Sequence, residues 1–174
     1  MARISEKHLR YRSREQMSAD AAIALRSAMS HGGKHSVLHA IMWAWTEFHG
    51  KYTGCPYWTP AAIDEQAADP RHLARRLRHE HAVPRRVVIE GLFALGQPDP
   101  ERVHAYLLAT LFGVVVTRAE DRVLDTPFRR SMPPEFHDPA SPGHLDPWLR
   151  YRRCGMTVVD RTRDDAVVVG AVAT

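Results

Sequence analysis

The sequence predicts a single domain of the α+β class that is predominantly helical. Three observations support this. The 174 residues, 44% of them apolar, fit one domain. Apolar residues recur at helical intervals through most of the first two thirds of the chain. A short β-branched run, Gly113–Thr117, then breaks the helical pattern and indicates a buried strand.

Two helices at the N-terminus are expected to form a hairpin. Ser13 and Gln16 have the spacing of a capping box, and the helix that follows is expected to run to about residue 30. The pair Gly32-Gly33 is expected to end it. A second helix over residues 36–49 then places its apolar residues on one stripe that faces a core.

Shorter elements follow this hairpin. Residues 54–58 indicate a turn, and Thr59-Pro60 supplies the N-cap and first residue of a third helix that ends near residue 68. Periodicity does not decide whether residues 71–78 stay helical or become extended near Leu77. The spacing of Leu73 and Leu77 suits a helix, whereas Pro84 disfavours helix at the residue before it. Two more helices are expected over residues 86–95 and 101–112.

The last third of the chain begins with a strand that leads directly into a helix. Thr117 and Glu120 form a second capping box after the strand Gly113–Thr117, and this helix should reach about residue 125. Residues 126–147 contain six prolines and indicate an irregular loop. A short helix over 148–153 follows, and residues 156–160 and 166–172 alternate like a hairpin or an attached tail.

The expected compartment rests on two features that the sequence lacks, a membrane span and a secretory signal. The longest nearly apolar run, residues 107–116, is about half of what a membrane span needs. Residues 1–14 are basic but have no apolar stretch and cleavage site after them, unlike a secretory signal. We therefore expect a cytoplasmic protein that makes no use of a membrane.

Positive charge is concentrated in one segment. Residues 70–89 carry a net charge of +5 and residues 1–14 add +4, whereas the rest of the chain is net acidic. Such a cluster attracts polyanions, of which nucleic acid is the commonest. An arginine-rich coding bias would produce the same excess without a ligand, since 21 of the 24 basic residues are arginine. The candidate phosphate-binding residues are Arg75, Arg76, Arg78, Arg85 and Arg86.

The most specific motif lies inside this basic segment. Glu80 and His81 are followed by two apolar residues and Pro84, and a strand and a helix come later in the chain. A neutral imidazole can take a proton from water, and a carboxylate beside it can hold a divalent cation on a phosphate. Further on, Asp121 and Asp125 lie four residues apart, on one face of the predicted helix.

In this order of elements the sequence resembles the HNH, or ββα-metal, nucleases over residues 77–125. The resemblance implies a strand, loop, strand, helix unit that cleaves DNA or RNA with a divalent metal, either Mg²⁺ or a transition metal. It implies Glu80 as a metal ligand, His81 as catalytic base, and Asp121 or Asp125 as the ligand from the helix. The chain contains no Asn, which the family usually places between its histidines, so carboxylates would have to substitute.

Other functions remain open from the sequence. Residues 79–81 could lie on a solvated face where Glu80 balances arginines, and the basic segment 70–89 could serve a non-catalytic nucleic-acid-binding regulator or a protein-interaction module. His31, His35 and His39 are expected to be surface histidines. Among the aromatic residues, those left as candidate exposed platforms for a base are Trp43, Tyr57 and Trp58.

Overall fold

A computed structural model describes residues 12–47, 50–164 and 166–170, and it confirms the mostly helical α+β class. The basic segment up to residue 11, the predicted end of the second helix at 48–49 and the end of the tail from 171 lie outside the described residues. The helices are α1 (Arg14–Arg26), α2 (His31–Glu47), α3 (Pro60–Ala68), α4 (Leu73–Arg76), α5 (Arg85–Ala94), α6 (Pro100–Thr110), α7 (Arg118–Phe128) and α8 (Leu149–Arg153). The strands are β1 (Tyr57–Trp58), β2 (Leu77–His81), β3 (Gly113–Thr117), β4 (Val158–Asp160) and β5 (Ala166–Val169).

The strands form one mixed sheet in the order β2-β3-β1-β4-β5. β1 and β3 are parallel, and the other neighbours are antiparallel. β2 is an edge strand that pairs along its whole length with β3, from Leu77 opposite Thr117 to His81 opposite Gly113. The predicted order of strand, strand and helix is therefore confirmed, with β2, β3 and α7 as its members. The predicted C-terminal hairpin is β4 and β5.

The N-terminal hairpin forms, but its turn is not where the glycines suggested. α1 carries the predicted capping box and ends at Arg26, whereas Gly32 and Gly33 lie in the first turn of α2. Ser30 explains this difference: its Oγ accepts a hydrogen bond from the Gly33 N–H at 3.2 Å, as an N-cap does. The first turn of a helix has no intrahelical acceptors for its N–H groups, so glycine costs little there.

Two other expectations need correction. Residues 57–58 were expected in a turn, yet they form the short central strand β1, because β3 and β4 pair with it on both sides. The undecided segment 71–78 is divided between α4 and β2, with the change of conformation at Leu77. α7 also continues beyond residue 125, to Phe128.

The largest core lies among four helices, α1, α2, α5 and α6. α5 and α6 belong to the segment between β2 and β3, so packing against the hairpin fixes α2 next to the end of β2. The buried residues of this core include Ala21, Leu25, Leu38, Met42, Val88, Leu92, Val103 and Leu107. None of the described helices is long and apolar enough to cross a membrane.

Candidate metal centre and cationic cleft

Side chains alternate across β2 and divide the motif between the two faces of the sheet. Arg78 and Glu80 lie on the face covered by α7 and α8, where they approach Asp121 and Arg150. His79 and His81 lie on the opposite face, towards the C-terminal end of α2. All three residues nevertheless line one cleft, because β2 is at the edge of the sheet.

Glu80 is the counter-ion of a buried arginine. Its carboxylate accepts a hydrogen bond from Arg150 Nη2, and the Arg150 side chain is fully buried. Arg150 also donates from Nε to the Ala82 carbonyl at 2.8 Å, from Nη1 to the Phe128 carbonyl at 3.2 Å, and from Nη2 to the His81 carbonyl. Burial raises the pKa of Glu80, and the positive charge of Arg150 opposes that rise. This carboxylate therefore joins β2 to α8.

The two aspartates of α7 are near Glu80 but do not complete a metal site with it. β2 and α7 lie side by side as expected, and the charges of both aspartates therefore add to the rise in the pKa of Glu80 that burial causes. However, Asp121 Oδ2 lies 3.9 Å from Arg78 Nε, and Asp125 Oδ2 lies 3.7 Å from Arg129 Nε. Because each of the three carboxylates faces an arginine, the described residues bring no set of their oxygens around one ion-sized space.

The other face of β2 contains a group that does fit a metal ion. Glu47, His79 and His81 each offer one ligand atom, and these atoms lie within 4.8 Å of one another. His79 Nδ1 is 3.7 Å from Glu47 Oε1. Ligands of a tetrahedral zinc ion are about 3.3 Å apart, given metal–ligand distances near 2.0–2.1 Å. Small side-chain shifts would bring the three atoms to that spacing.

The His79 ring lacks the partners that a buried imidazole normally has. Its side chain is 1% exposed, and neither ring nitrogen has a hydrogen-bond partner among the residues that the structure describes. Buried polar atoms are nearly always paired, and an ion is one way to satisfy such an atom. Gly113 on β3 provides the space for the ring, since a Cβ there would lie 2.3 Å from His79 Nε2.

Hydrogen bonding fixes the tautomer of His81. Thr46 Oγ1 donates to the Met42 carbonyl at 3.1 Å and lies 3.2 Å from His81 Nε2. Because the Thr46 proton is used, Nε2–H of His81 donates to Thr46, and the lone pair of the neutral ring is on Nδ1. Burial lowers the pKa of His79 and lowers that of His81 well below the ordinary value. Both rings are thus neutral at pH 7, the form that binds metals.

The Glu47–His79–His81 group opens into a cleft of about 530 Å³ with a cationic rim. Glu47 itself is nearly buried, and Lys51 Nζ lies 3.5 Å from its Oε2 at the mouth. His35 and Trp43 contribute to one wall from α2. The cationic residues of the rim are Lys51, Arg85, Arg86, Arg129 and Arg130.

Of the five arginines predicted to contact phosphate, the structure places two in this cleft, Arg85 and Arg86. Arg76 is 2.6 Å from Glu65 and also contacts Asp69, so it joins α3 to α4. The other two lie elsewhere: Arg78 faces α7, and Arg75 is exposed on α4 away from the cleft.

Sequence reasoning missed Glu47 and His79 as candidate ligands. One signal was available for His79, because histidines two residues apart on a strand point to the same face. That signal required residues 77–81 to be interpreted as a strand. Glu47 lies on a helix that is distant in sequence, and nothing in its local sequence marks it as a ligand. Arg129 and Arg130 likewise have no local signal that places them at the cleft. The expectation of exposed histidines at 31, 35 and 39 is confirmed.

Comparison of the chain with models of known families, with curated proteins and with solved structures finds no match. The likeness to ββα-metal nucleases therefore remains an expectation from the sequence.

The first prediction concerns the buried ion pair. Arg150→Met should lower the free energy of unfolding by about 3–5 kcal/mol, because the partly buried Glu80 carboxylate and three backbone carbonyls lose their fully buried donor. The control is Arg153→Met on the same helix, whose pair with Glu135 is exposed and should be worth about 0–1 kcal/mol. Urea denaturation followed by circular dichroism measures both. Equal losses in the two variants would contradict the role given to Arg150.

The second prediction concerns the space beside His79. Gly113→Ala should weaken Zn²⁺ binding by about 10-fold or more, because the new methyl group must displace the imidazole ring. Gly32→Ala is the matched control, since a Cβ at Gly32 meets nothing within 4 Å. Titration against a chromophoric chelator gives both affinities. A folded Gly113→Ala protein that binds Zn²⁺ as tightly as the control would remove His79 from the site.

Proposed function

We propose that this protein is a metal-dependent phosphodiesterase that acts on nucleic acid. The observation that carries the proposal is the buried Glu47–His79–His81 group at the floor of a cleft whose rim is cationic. A divalent ion in that group, together with the guanidinium groups of the rim, is a combination that can accelerate hydrolysis of a phosphodiester. The resemblance of residues 77–125 to ββα-metal nucleases points to the same chemistry.

The ligand set favours a transition metal over Mg²⁺. Mg²⁺ is held mainly by oxygen atoms, whereas two imidazoles and one carboxylate suit Zn²⁺ and its neighbours in the first transition series. His81, which the resemblance makes a catalytic base, acts in this proposal as a ligand, because its ring is buried beside His79 and Glu47. An ion held by these three residues would supply an activated water and polarise the phosphate.

Residues outside the metal group have other roles in the proposed reaction. Arg85, Arg86, Arg129 and Arg130 offset the charge of the phosphate backbone at the rim. Glu80 is a positioning residue: its ion pair with Arg150 holds β2 where the two histidines face α2. Thr46 orients the His81 ring through its hydrogen bond.

The test is hydrolysis by metal-free protein to which Zn²⁺, Mn²⁺, Co²⁺ or Mg²⁺ is added singly. Substrates are single- and double-stranded oligonucleotides and the base-free diester bis(4-nitrophenyl) phosphate. We expect cleavage with a transition metal, and a loss of about 100-fold or more in His79→Gln because a metal ligand is removed. His144→Gln, an exposed histidine outside the cleft, should behave like the wild type.

Two results would contradict the proposal. Cleavage that survives chelation, or that is equal in the His79 and His144 variants, would separate hydrolysis from the Glu47–His79–His81 group. Salt-sensitive binding of oligonucleotides without any cleavage would support the non-catalytic regulator instead, since that function needs the rim arginines and not the ion.

A further inference from the structure

Trp43 is an exposed aromatic residue in the wall of the cleft. Its side chain is 45% exposed, whereas Met42 and Trp45 beside it on α2 are buried in the helical core. Trp43 and Glu47 lie one helical turn apart, so the indole is next to the proposed metal group. An exposed indole at this position offers a flat apolar surface where a substrate would lie.

The size of the cleft limits what can enter it. A volume of about 530 Å³ is typical of a site for a small ligand. One nucleotide at a time fits such a space, whereas a duplex can only lie across the rim. The faces of bases inside a duplex are already stacked on their neighbours, so an unpaired base is the form that can stack on an indole.

The positive charges of the rim come from two separate segments of the chain. Arg85 and Arg86 begin α5, and Arg129 and Arg130 directly follow α7. Arg86 is paired with Glu90 and Arg129 with Asp125. The other two, Arg85 and Arg130, have no acidic partner among the described residues. A cationic groove with an aromatic side chain is the usual arrangement for binding single strands.

We infer that Trp43 stacks on an unpaired base, and that the preferred substrate is single-stranded nucleic acid whose phosphate lies at the Glu47–His79–His81 group. This inference rests on the proposed function and names its substrate class. It requires that binding strength depend on the aromatic ring at residue 43 and on whether the bases are unpaired.

Binding of a labelled single-stranded oligonucleotide, and of the same strand annealed to its complement, tests the inference by fluorescence anisotropy. Trp43→Ala should weaken single-strand binding about 5- to 100-fold, and Trp43→Phe should retain most of the affinity. The matched control is Leu108→Ala, which removes an exposed apolar side chain of α6 outside the cleft and should change nothing. Quenching of tryptophan fluorescence by the single strand should also be smaller in Trp43→Phe than in the wild type.

The outcomes separate this inference from the proposed function. If the wild type hydrolyses bis(4-nitrophenyl) phosphate with added metal but all variants bind the single strand equally, stacking is overturned and the function stands. Tighter binding of the duplex than of the single strand also overturns the inference. If no diester is hydrolysed with any metal, the proposed function fails, while a dependence of binding on residue 43 still supports stacking. Circular dichroism of each variant confirms that it is folded.

Discussion

The alternation of side chains along β2 is the constraint on which the candidate site depends. A strand with a two-residue repeat points His79 and His81 to one face and Glu80 to the other, although all three line the cleft at the edge of the sheet. Pairing with β3 fixes the faces, so that Glu80 meets Arg150 while both histidines turn towards α2. One short strand thus supplies a structural ion pair to one side of the sheet and two candidate metal ligands to the other.

The helical core places the third candidate ligand beside the two histidines of β2. α5 and α6 interrupt the strand pair in sequence, and their packing on α1 and α2 brings the end of α2 against β2. Thr46 and Glu47 then lie beside the histidines. An ion bound there would link α2 to β2 and stabilise the folded state by mass action. The clustered cations above it repel one another, which makes binding of an anion in the cleft favourable.

Local signals in the sequence were sufficient for most of the fold but for only part of the site. Capping boxes at Ser13 and Thr117 and the β-branched run of β3 located their elements, because those signals act within one turn or strand. β1 could not be predicted, since two residues become a strand only through neighbours from distant segments. Glu47 joins His79 for the same reason: tertiary packing, not spacing, brings them together. The resemblance implied that His81 is a catalytic base and Glu80 a metal ligand, whereas the structure places His81 among the candidate ligands and pairs Glu80 with Arg150.

The most direct test of this account is the position of a bound metal ion. Crystals of the protein soaked with Zn²⁺ and measured at the zinc absorption edge locate the ion by anomalous scattering. The account predicts a single protein-bound ion about 2.0–2.2 Å from Glu47, His79 and His81. An ion between Glu80 and the aspartates of α7, or no ion on the α2 side of β2, would contradict it.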